Sequence, residues 1–215
     1  MQIEPAFEDF AAGYAAGKPQ VVWTRLVADL ETPVSAYLKL ASGRANTFLL
    51  ESVEGGAVRG RYSMIGLDPD LIFKANGDKA AISRAPALDR FEAVGEPTLN
   101  AIRTMLAQSR IDMPADLPPS SAGVFGYLGY DNVRLIEDLP HEQTTGLGLP
   151  DTVLVRPRIV VVFDAVRDEL TIVSPVRPDS KLTPRAAYDR ASDRLTEIVE
   201  ALDKPLDHTA ERADV

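Results

Sequence analysis

Histidine and cysteine, the side chains that most often serve as nucleophiles, general bases or metal ligands near neutral pH, are almost absent from this sequence. There is no cysteine, and the two histidines are His141 in a proline-flanked segment and His208 in a polar tail. Neither histidine belongs to a recognisable Ser-His-Asp, Cys-His or paired-histidine zinc pattern. The 32 Asp and Glu residues mark no two carboxylates as a general acid–base pair. The sequence therefore predicts no catalytic residue and no metal ligand.

One glycine pattern could suggest phosphate binding. Gly123, Gly126 and Gly129 recur at a spacing of three, but Phe125 and Tyr127 lie between them. Aromatic residues at such positions favour tight packing over a phosphate cradle, and no Walker or dinucleotide-binding pattern occurs elsewhere. We expect no nucleotide site.

Composition and charge narrow the class of protein further. The formal net charge is −9, which repels phosphate backbones and argues against a nucleic-acid partner. Residues 1–10 carry three acidic side chains and no apolar run, unlike a signal or transit peptide. No stretch approaches the roughly 20 apolar residues of a membrane helix. We expect a cytoplasmic protein that does not bind a membrane.

Four helices are predicted from periodicity and end signals. Thr32-Pro33 and Thr183-Pro184 each place a hydroxyl at an N-cap before a proline at the first helical position. The predicted helices cover residues 6–16, 33–42, 97–109 and 184–202, the third with a stripe of Leu99, Ile102, Met105 and Leu106. Residues 132–138 suit a further, short helix.

Strand patterns fill most of the remaining chain. They cover residues 21–27, 47–52, 61–66, 71–75, 79–82, 153–165 and 169–176. Asn76-Gly77 predicts a hairpin turn, because both central residues of that turn favour positive φ. The unbroken apolar run 159–163 suits a strand buried on both faces. This mostly hairpin-connected order predicts an α+β fold.

Five segments, in this order, resemble the amino-terminal part of the anthranilate synthase large subunit (component I), a family of chorismate-using enzymes. They are Thr32–Leu40, Phe48–Ser52, Gly60–Gly66, Gly123–Asp131 and Leu149–Asp151. The resemblance implies two mostly antiparallel sheets packed roughly orthogonally with outer helices. It also implies a regulatory domain over residues 1–204 and, at 205–215, a linker towards a chorismate-binding catalytic domain.

In that family the large subunit converts chorismate and ammonia to anthranilate and pyruvate with Mg²⁺, and a glutamine amidotransferase subunit (component II) supplies the ammonia. The magnesium and chorismate residues belong to the catalytic domain. The resemblance therefore implies no cofactor in this chain, no turnover by it alone, and three partners: L-tryptophan as inhibitor, the amidotransferase subunit and the catalytic domain.

The resemblance further implies a feedback site for tryptophan. The family builds it around the Leu-Leu-Glu-Ser segment with help from the Arg-Tyr-Ser segment, which here gives Leu50, Glu51, Ser52, Arg61, Tyr62 and Ser63. Glu51 and Ser52 suit the ligand ammonium, Arg61 or backbone N–H groups suit its carboxylate, and Leu50, Tyr62 and Met64 suit its indole.

Purely structural roles also suit these residues, and a different function also suits the chain. Leu49 and Leu50 fit a core, Glu51 and Ser52 a strand end, Arg61 a surface ion pair, and Tyr37 and Tyr62 packing positions. The chain could instead come from aminodeoxychorismate synthase or another chorismate-using relative, or serve mainly as a docking module for the amidotransferase subunit.

Overall fold

A computed structural model describes residues 1–53, 59–118, 120–140 and 148–206 of the chain. In this part of the chain, four α-helices lie in the regions predicted for them. They are α1 (Phe7–Ala15), α2 (Pro33–Ala41), α3 (Thr98–Ser109) and α4 (Pro184–Leu202). The short helix expected at 132–138 is a 3-10 helix that begins slightly earlier and covers Tyr130–Leu135. In the described part of the chain, no helix is both long and apolar enough to cross a membrane.

Among the described residues, eight strands form one hydrogen-bonded, antiparallel sheet. They are β1 (Gln20–Val27), β2 (Phe48–Val53), β3 (Arg59–Asn76), β4 (Lys79–Arg84), β5 (Glu92–Ala93), β6 (Phe125–Leu128), β7 (Thr152–Asp164) and β8 (Glu169–Val176). The α+β class and the antiparallel pairing expected from the sequence are confirmed.

The two expected sheets correspond to two halves of this single sheet. One half has the order β1-β8-β7-β3-β2, and the other has the order β6-β7-β3-β4-β5. The long strands β3 and β7 run through both halves, so the halves are continuous where two separate sheets were expected. A bulge in β3 between Pro69 and Leu71 marks the junction. There β3 has one residue more than β7, so the side chains of β3 after the bulge change face relative to those of β7.

Each half carries its own hydrophobic core. Helices α1, α2 and α4 pack on the first half, against buried residues that include Ile159, Val161 and Phe163 of β7. Helix α3 packs on the second half, with Phe73 of β3 and Leu154 of β7. Because side chains alternate along a strand, the odd and even positions of β7 place these cores on opposite faces.

The run 159–163 of β7 is buried on both faces, as its composition predicted. Each of its five residues is at most 6% exposed. Strands β3 and β8 flank it, and Leu117 with the partly buried Ile111, Met113 and Ala122 adds a third, small cluster over Trp23 and Val173. The strand is therefore central in the sheet.

Local end signals are confirmed for two helices. The Thr32 hydroxyl accepts a hydrogen bond from the Ser35 N–H, and the Ser35 hydroxyl accepts one from the Thr32 N–H, which together form a capping box. The Thr183 hydroxyl accepts from the Ala186 N–H in the same way. The stripe predicted for α3 is only partly right, because Ile102 and Met105 are buried whereas Leu106 is 48% exposed.

The β3–β4 hairpin is confirmed, but its turn lies one residue later than the sequence suggested. Asn76 pairs with Lys79, so Gly77 and Asp78 are the central residues, and of these only Gly77 has positive φ, at 50°. The Asp151 carboxylate accepts a hydrogen bond from the Gly77 N–H, and Asp78 accepts one from the Thr98 N–H at the start of α3. These side chains fix the turn against its neighbours.

The predicted boundary at residue 204 follows the end of α4 at Leu202 directly. Most of the predicted linker 205–215 lies outside the described residues, so that division stays a prediction. His141 and His208 also lie outside them.

Candidate functional site

The predicted site residues lie on two neighbouring antiparallel strands at one edge of the first half-sheet. Strand β2 carries Leu50, Glu51 and Ser52 and pairs with β3 alone among the described strands. As an edge strand, it turns a row of backbone N–H and C=O groups away from β3. The side chains of all three residues are exposed.

Cross-strand register divides these residues between the two faces of the sheet. Leu50 is opposite Met64, and the Ser52 side chain lies directly over Gly60, so both share a face with Tyr62. A methyl group on Gly60 would overlap Ser52, so glycine permits this close approach. Glu51 is opposite Ser63, and this pair belongs to the other face.

Arg61 is held by a partner that its sequence pattern does not reveal. Its Nε donates to both carboxylate oxygens of Asp164 at 3.0 and 3.1 Å, and its Nη2 donates to Oδ2 at 2.7 Å. The guanidinium also lies over the Tyr62 ring, 4.8 Å from its centroid. The ion-pair interpretation of Arg61 is therefore confirmed, and contact with a ligand stays a prediction.

Asp164 is 5% exposed and is tied to the β7–β8 turn as well as to Arg61. Its Oδ1 accepts hydrogen bonds from the backbone N–H groups of Val166 and Arg167 at 3.1 and 3.4 Å. The hydrogen bonds from Arg61 hold the pKa of the Asp164 carboxyl below its ordinary value of 3.8, although burial acts in the opposite direction. Asp164 is therefore an ionised anchor for Arg61.

Burial separates the predicted residues that pack in the core from those that a ligand could reach. Leu49 packs against the first core as expected, whereas Leu50 is 44% exposed and is not a core residue. Tyr37 packs against the same core, and its hydroxyl lies 3.1 Å from that of Thr47. Exposure makes Leu50 and Ser52 accessible to a ligand, which is necessary for the predicted role.

A cavity of about 250 Å³ adjoins Arg61 and Tyr62 on the side of β3 that faces β7. It is lined by residues of β1, β3, β7, β8 and the turns and loops beside them: Arg25, Arg61, Tyr62, Ala115, Asp116, Leu117, Pro118, Asp164, Arg167, Glu169 and Thr171. None of the β2 residues lines it. The cavity therefore adjoins the surface of Leu50 and Ser52 through Tyr62, which borders both, but does not include those two residues.

Sequence reasoning missed Asp164, Arg25 and Thr171, because nothing in the linear pattern brings them beside Arg61. Arg61 and Asp164 are 103 residues apart and meet only through the β3–β7 pairing. A carboxylate at the end of an apolar strand was the one available signal, since burial of such a group requires a partner.

Clusters of potential metal ligands are absent from the described residues. Nowhere in 1–53, 59–118, 120–140 or 148–206 do three or more His, Asp or Glu side chains lie close enough to hold a metal ion. The magnesium site that the resemblance implies for the catalytic domain stays a prediction.

Two known proteins with similar sequences share one name. Anthranilate synthase component 1 of Cereibacter sphaeroides is 50% identical to the chain over 201 residues, which are 93% of the chain and 40% of that protein. The protein of the same name from Mycolicibacterium smegmatis is 36% identical, over 93% of the chain and 38% of its own length. The chain thus spans about 40% of the length of these relatives.

Structural similarity agrees with this result. A crystal structure of anthranilate synthase component I from Streptococcus pneumoniae matches with a TM-score of 0.54 at 19% identity, over 85% of the chain and 37% of that structure. At this identity the match shows the fold alone. No family model matches the chain. Over most of its length, this chain is homologous to anthranilate synthase component I and shares the fold of part of that protein.

Proposed function

We propose that this chain is a cytoplasmic regulatory region of anthranilate synthase component I and carries part of a feedback site for L-tryptophan. The observation on which this proposal rests is the pairing of β2 with β3 at the sheet edge. That pairing leaves Leu50 and Ser52 exposed on one face beside Tyr62 and Met64. An amino-acid ligand needs polar groups beside an apolar surface, and this edge provides both.

Each part of the ligand has a proposed contact. The Ser52 hydroxyl and the carbonyl of Glu51 accept hydrogen bonds from the ammonium group. Outward-facing N–H groups of β2 donate to the carboxylate, because the guanidinium of Arg61 is already hydrogen-bonded to Asp164. Leu50, Met64 and Tyr62 contact the indole. Glu51 and Ser63 lie opposite each other on the two strands, and their side chains belong to the other face of the sheet.

Inhibition then follows from a difference in the affinity of tryptophan for two arrangements of the protein. Tryptophan bound at this edge favours a low-activity arrangement of the regulatory and catalytic domains, because it binds that arrangement more tightly. Since the catalytic domain also contributes to the site in this proposal, the chain alone binds tryptophan weakly and does not consume chorismate.

Isothermal titration of L-tryptophan into the purified chain tests the proposal. We expect millimolar affinity, weakened roughly tenfold in Ser52→Ala, which removes a hydrogen bond to a charged group. Ser180→Ala is the matched control, because Ser180 is an exposed serine in the connection between β8 and α4, outside β2 and β3, and should leave the affinity unchanged.

Two results would count against this function. Equal tryptophan affinity in Ser52→Ala and the parent would exclude the site at β2. Consumption of chorismate by the chain on its own would show a reaction centre that the proposal denies.

The reaction and partners of the whole protein belong to the same proposal. The name of the 50% identical relative favours anthranilate synthesis from chorismate over the aminodeoxychorismate alternative. The required Mg²⁺ would bind the catalytic domain, and the amidotransferase subunit would supply ammonia.

A docking role is the second candidate, and exposed apolar side chains near β6 favour it. Leu128, Tyr130 and Ile136 are 55, 88 and 75% exposed, which is unusual for neighbouring large apolar residues in a free surface. Retention of the amidotransferase subunit by the immobilised chain, lost in Tyr130→Ser, would support this role.

A further inference from the structure

Every second side chain of β2 belongs to the face proposed for the ligand, and together they form a row. In the pairing with β3, Phe48 is opposite Gly66. Leu50 follows two residues later and is opposite Met64. Because side chains two residues apart on a strand share a face, Phe48 belongs to the same surface as Leu50 and Ser52. This surface therefore continues past Leu50 to an aromatic ring.

The Phe48 ring lies on Gly66 and against a second aromatic ring. A methyl group on Gly66 would overlap the far carbon atoms of the Phe48 ring, so glycine leaves the space in which that ring lies. The Phe125 ring of β6 lies beside it, with the ring centroids 4.9 Å apart and the ring planes inclined by 36°. The aromatic pair of Phe48 and Phe125 thus brings together β2 and β6, which belong to different halves of the sheet.

The row changes from polar to aromatic along β2. Ser52 is exposed at one end, Leu50 is 44% exposed in the middle, and Met64 and the two rings of the aromatic pair are half-buried. A rise of about 3.3 Å per residue separates Ser52 from Phe48 by roughly 13 Å. A molecule held by its ammonium group at Ser52 therefore reaches Leu50 first, and it reaches the aromatic pair only if its side chain is long.

Tyr62, another aromatic residue of this face, is less suited to select a ring. The guanidinium carbon of Arg61 lies 4.8 Å from the centroid of the Tyr62 ring, so one side of that ring is already covered. Tyr62 also lies two residues from Met64 towards the Ser52 end of the row. The aromatic surface farthest from the ammonium position is therefore the aromatic pair.

We propose that the aromatic pair selects the size of the ring system of the ligand, which makes Phe48 and Phe125 specificity-determining residues. This inference rests on the proposed function, in which the ammonium group binds at Ser52. The distal ring of an indole extends beyond Leu50 and contacts the aromatic pair, whereas the single ring of phenylalanine ends at Leu50. Contacts between aromatic rings are favourable beyond the area that they bury, so this contact favours tryptophan over phenylalanine.

Isothermal titration of the chain with L-tryptophan and with L-phenylalanine tests this inference, because the ratio of the two affinities reports on the distal contact. We expect tryptophan to bind about tenfold more tightly than phenylalanine, and Phe125→Leu to reduce this ratio about fivefold. Gly66→Ala keeps both rings but displaces that of Phe48, and it should reduce the ratio as well. Phe91→Leu is the matched control, because Phe91 is an exposed phenylalanine outside β2, β3 and β6 and should leave the ratio unchanged.

The results distinguish this inference from the proposed function. If Ser52→Ala weakens tryptophan binding but the ratio is the same in Phe125→Leu, Gly66→Ala and the parent, the ligand site stands and selection by the aromatic pair is wrong. An equal loss of affinity for both amino acids in Phe125→Leu would also overturn the inference, because a purely structural role affects both ligands alike. Absence of tryptophan binding in the parent would overturn both proposals. Circular dichroism of each variant establishes that it is folded.

Discussion

At the scale of single residues, the strongest test concerns Asp164, which receives hydrogen bonds from Arg61 and from the β7–β8 turn. Asp164→Asn keeps the shape of the side chain but removes its charge. We expect the free energy of unfolding at neutral pH to fall by about 2 kcal/mol, since hydrogen bonds to a charged, buried acceptor are lost. Urea unfolding measures this difference.

The pH dependence of that difference follows from the lowered pKa of Asp164. A carboxyl whose pKa is lower when folded adds stability that is complete above its ordinary value of 3.8 and is lost as the pH falls through the lowered value. The gap between parent and Asp164→Asn should therefore be constant near neutral pH and close in acid. A gap that stays the same into the acid range would contradict this assignment.

The resemblance to the anthranilate synthase family, and not residue types alone, supplied the predicted ligand residues, and it did not give their pairing. The Leu50–Ser52 and Arg61–Ser63 segments were predicted to act together, and β2 and β3 do pair there. Their division between two faces depends on register, and register is fixed by long-range packing. The salt bridge to Asp164 could not be predicted for the same reason.

At the scale of elements, short sequence signals predicted those features whose hydrogen bonds join residues that are close in sequence. The caps at Thr32 and Thr183 and the β3–β4 hairpin were all predicted from a few adjacent residues. Leu106 shows where this fails, because helical periodicity gives an apolar face but not how much of it a sheet covers. The one-residue error at Gly77 arose because Asp151 and Thr98, both distant in sequence, hold the turn.

At this scale we predict the effect of substitutions in helix α4 on the stability of the fold. Leu195 is fully buried in the first core, between α4 and the sheet. Leu195→Ala should lower the free energy of unfolding by about 3 kcal/mol, through lost burial and the cavity that remains. Glu197→Ala, at an exposed position on the same helix, should change it by less than about 0.5 kcal/mol. Similar losses in the two variants, measured by thermal or urea unfolding, would show that α4 does not pack as described.

At the scale of the whole molecule, the two half-sheets meet at the bulge of β3, and charged side chains hold this junction. Arg156 donates to Asp70 through Nε at 2.6 Å and through Nη2 at 3.0 Å, and its Nη1 donates to the Ser109 hydroxyl at 3.1 Å. Arg177 lies 3.9 Å from the same carboxylate, and burial followed by repulsion from Arg156 lowers its pKa to about 10. Asp70 is therefore the shared counterion of two poorly hydrated arginines.

Asp70→Asn should accordingly destabilise the whole fold and not one half of it. Removal of the carboxylate leaves two neighbouring cations without their counterion, which we expect to cost about 3 kcal/mol. Trp23, the single tryptophan, reports on the first half through its fluorescence, while far-ultraviolet circular dichroism reports on both. Because β3 and β7 run through both halves, the two signals should shift together to the same lower urea midpoint. The exposed control Asp89→Asn should leave both midpoints unchanged, and separate midpoints in Asp70→Asn would show that the halves unfold independently.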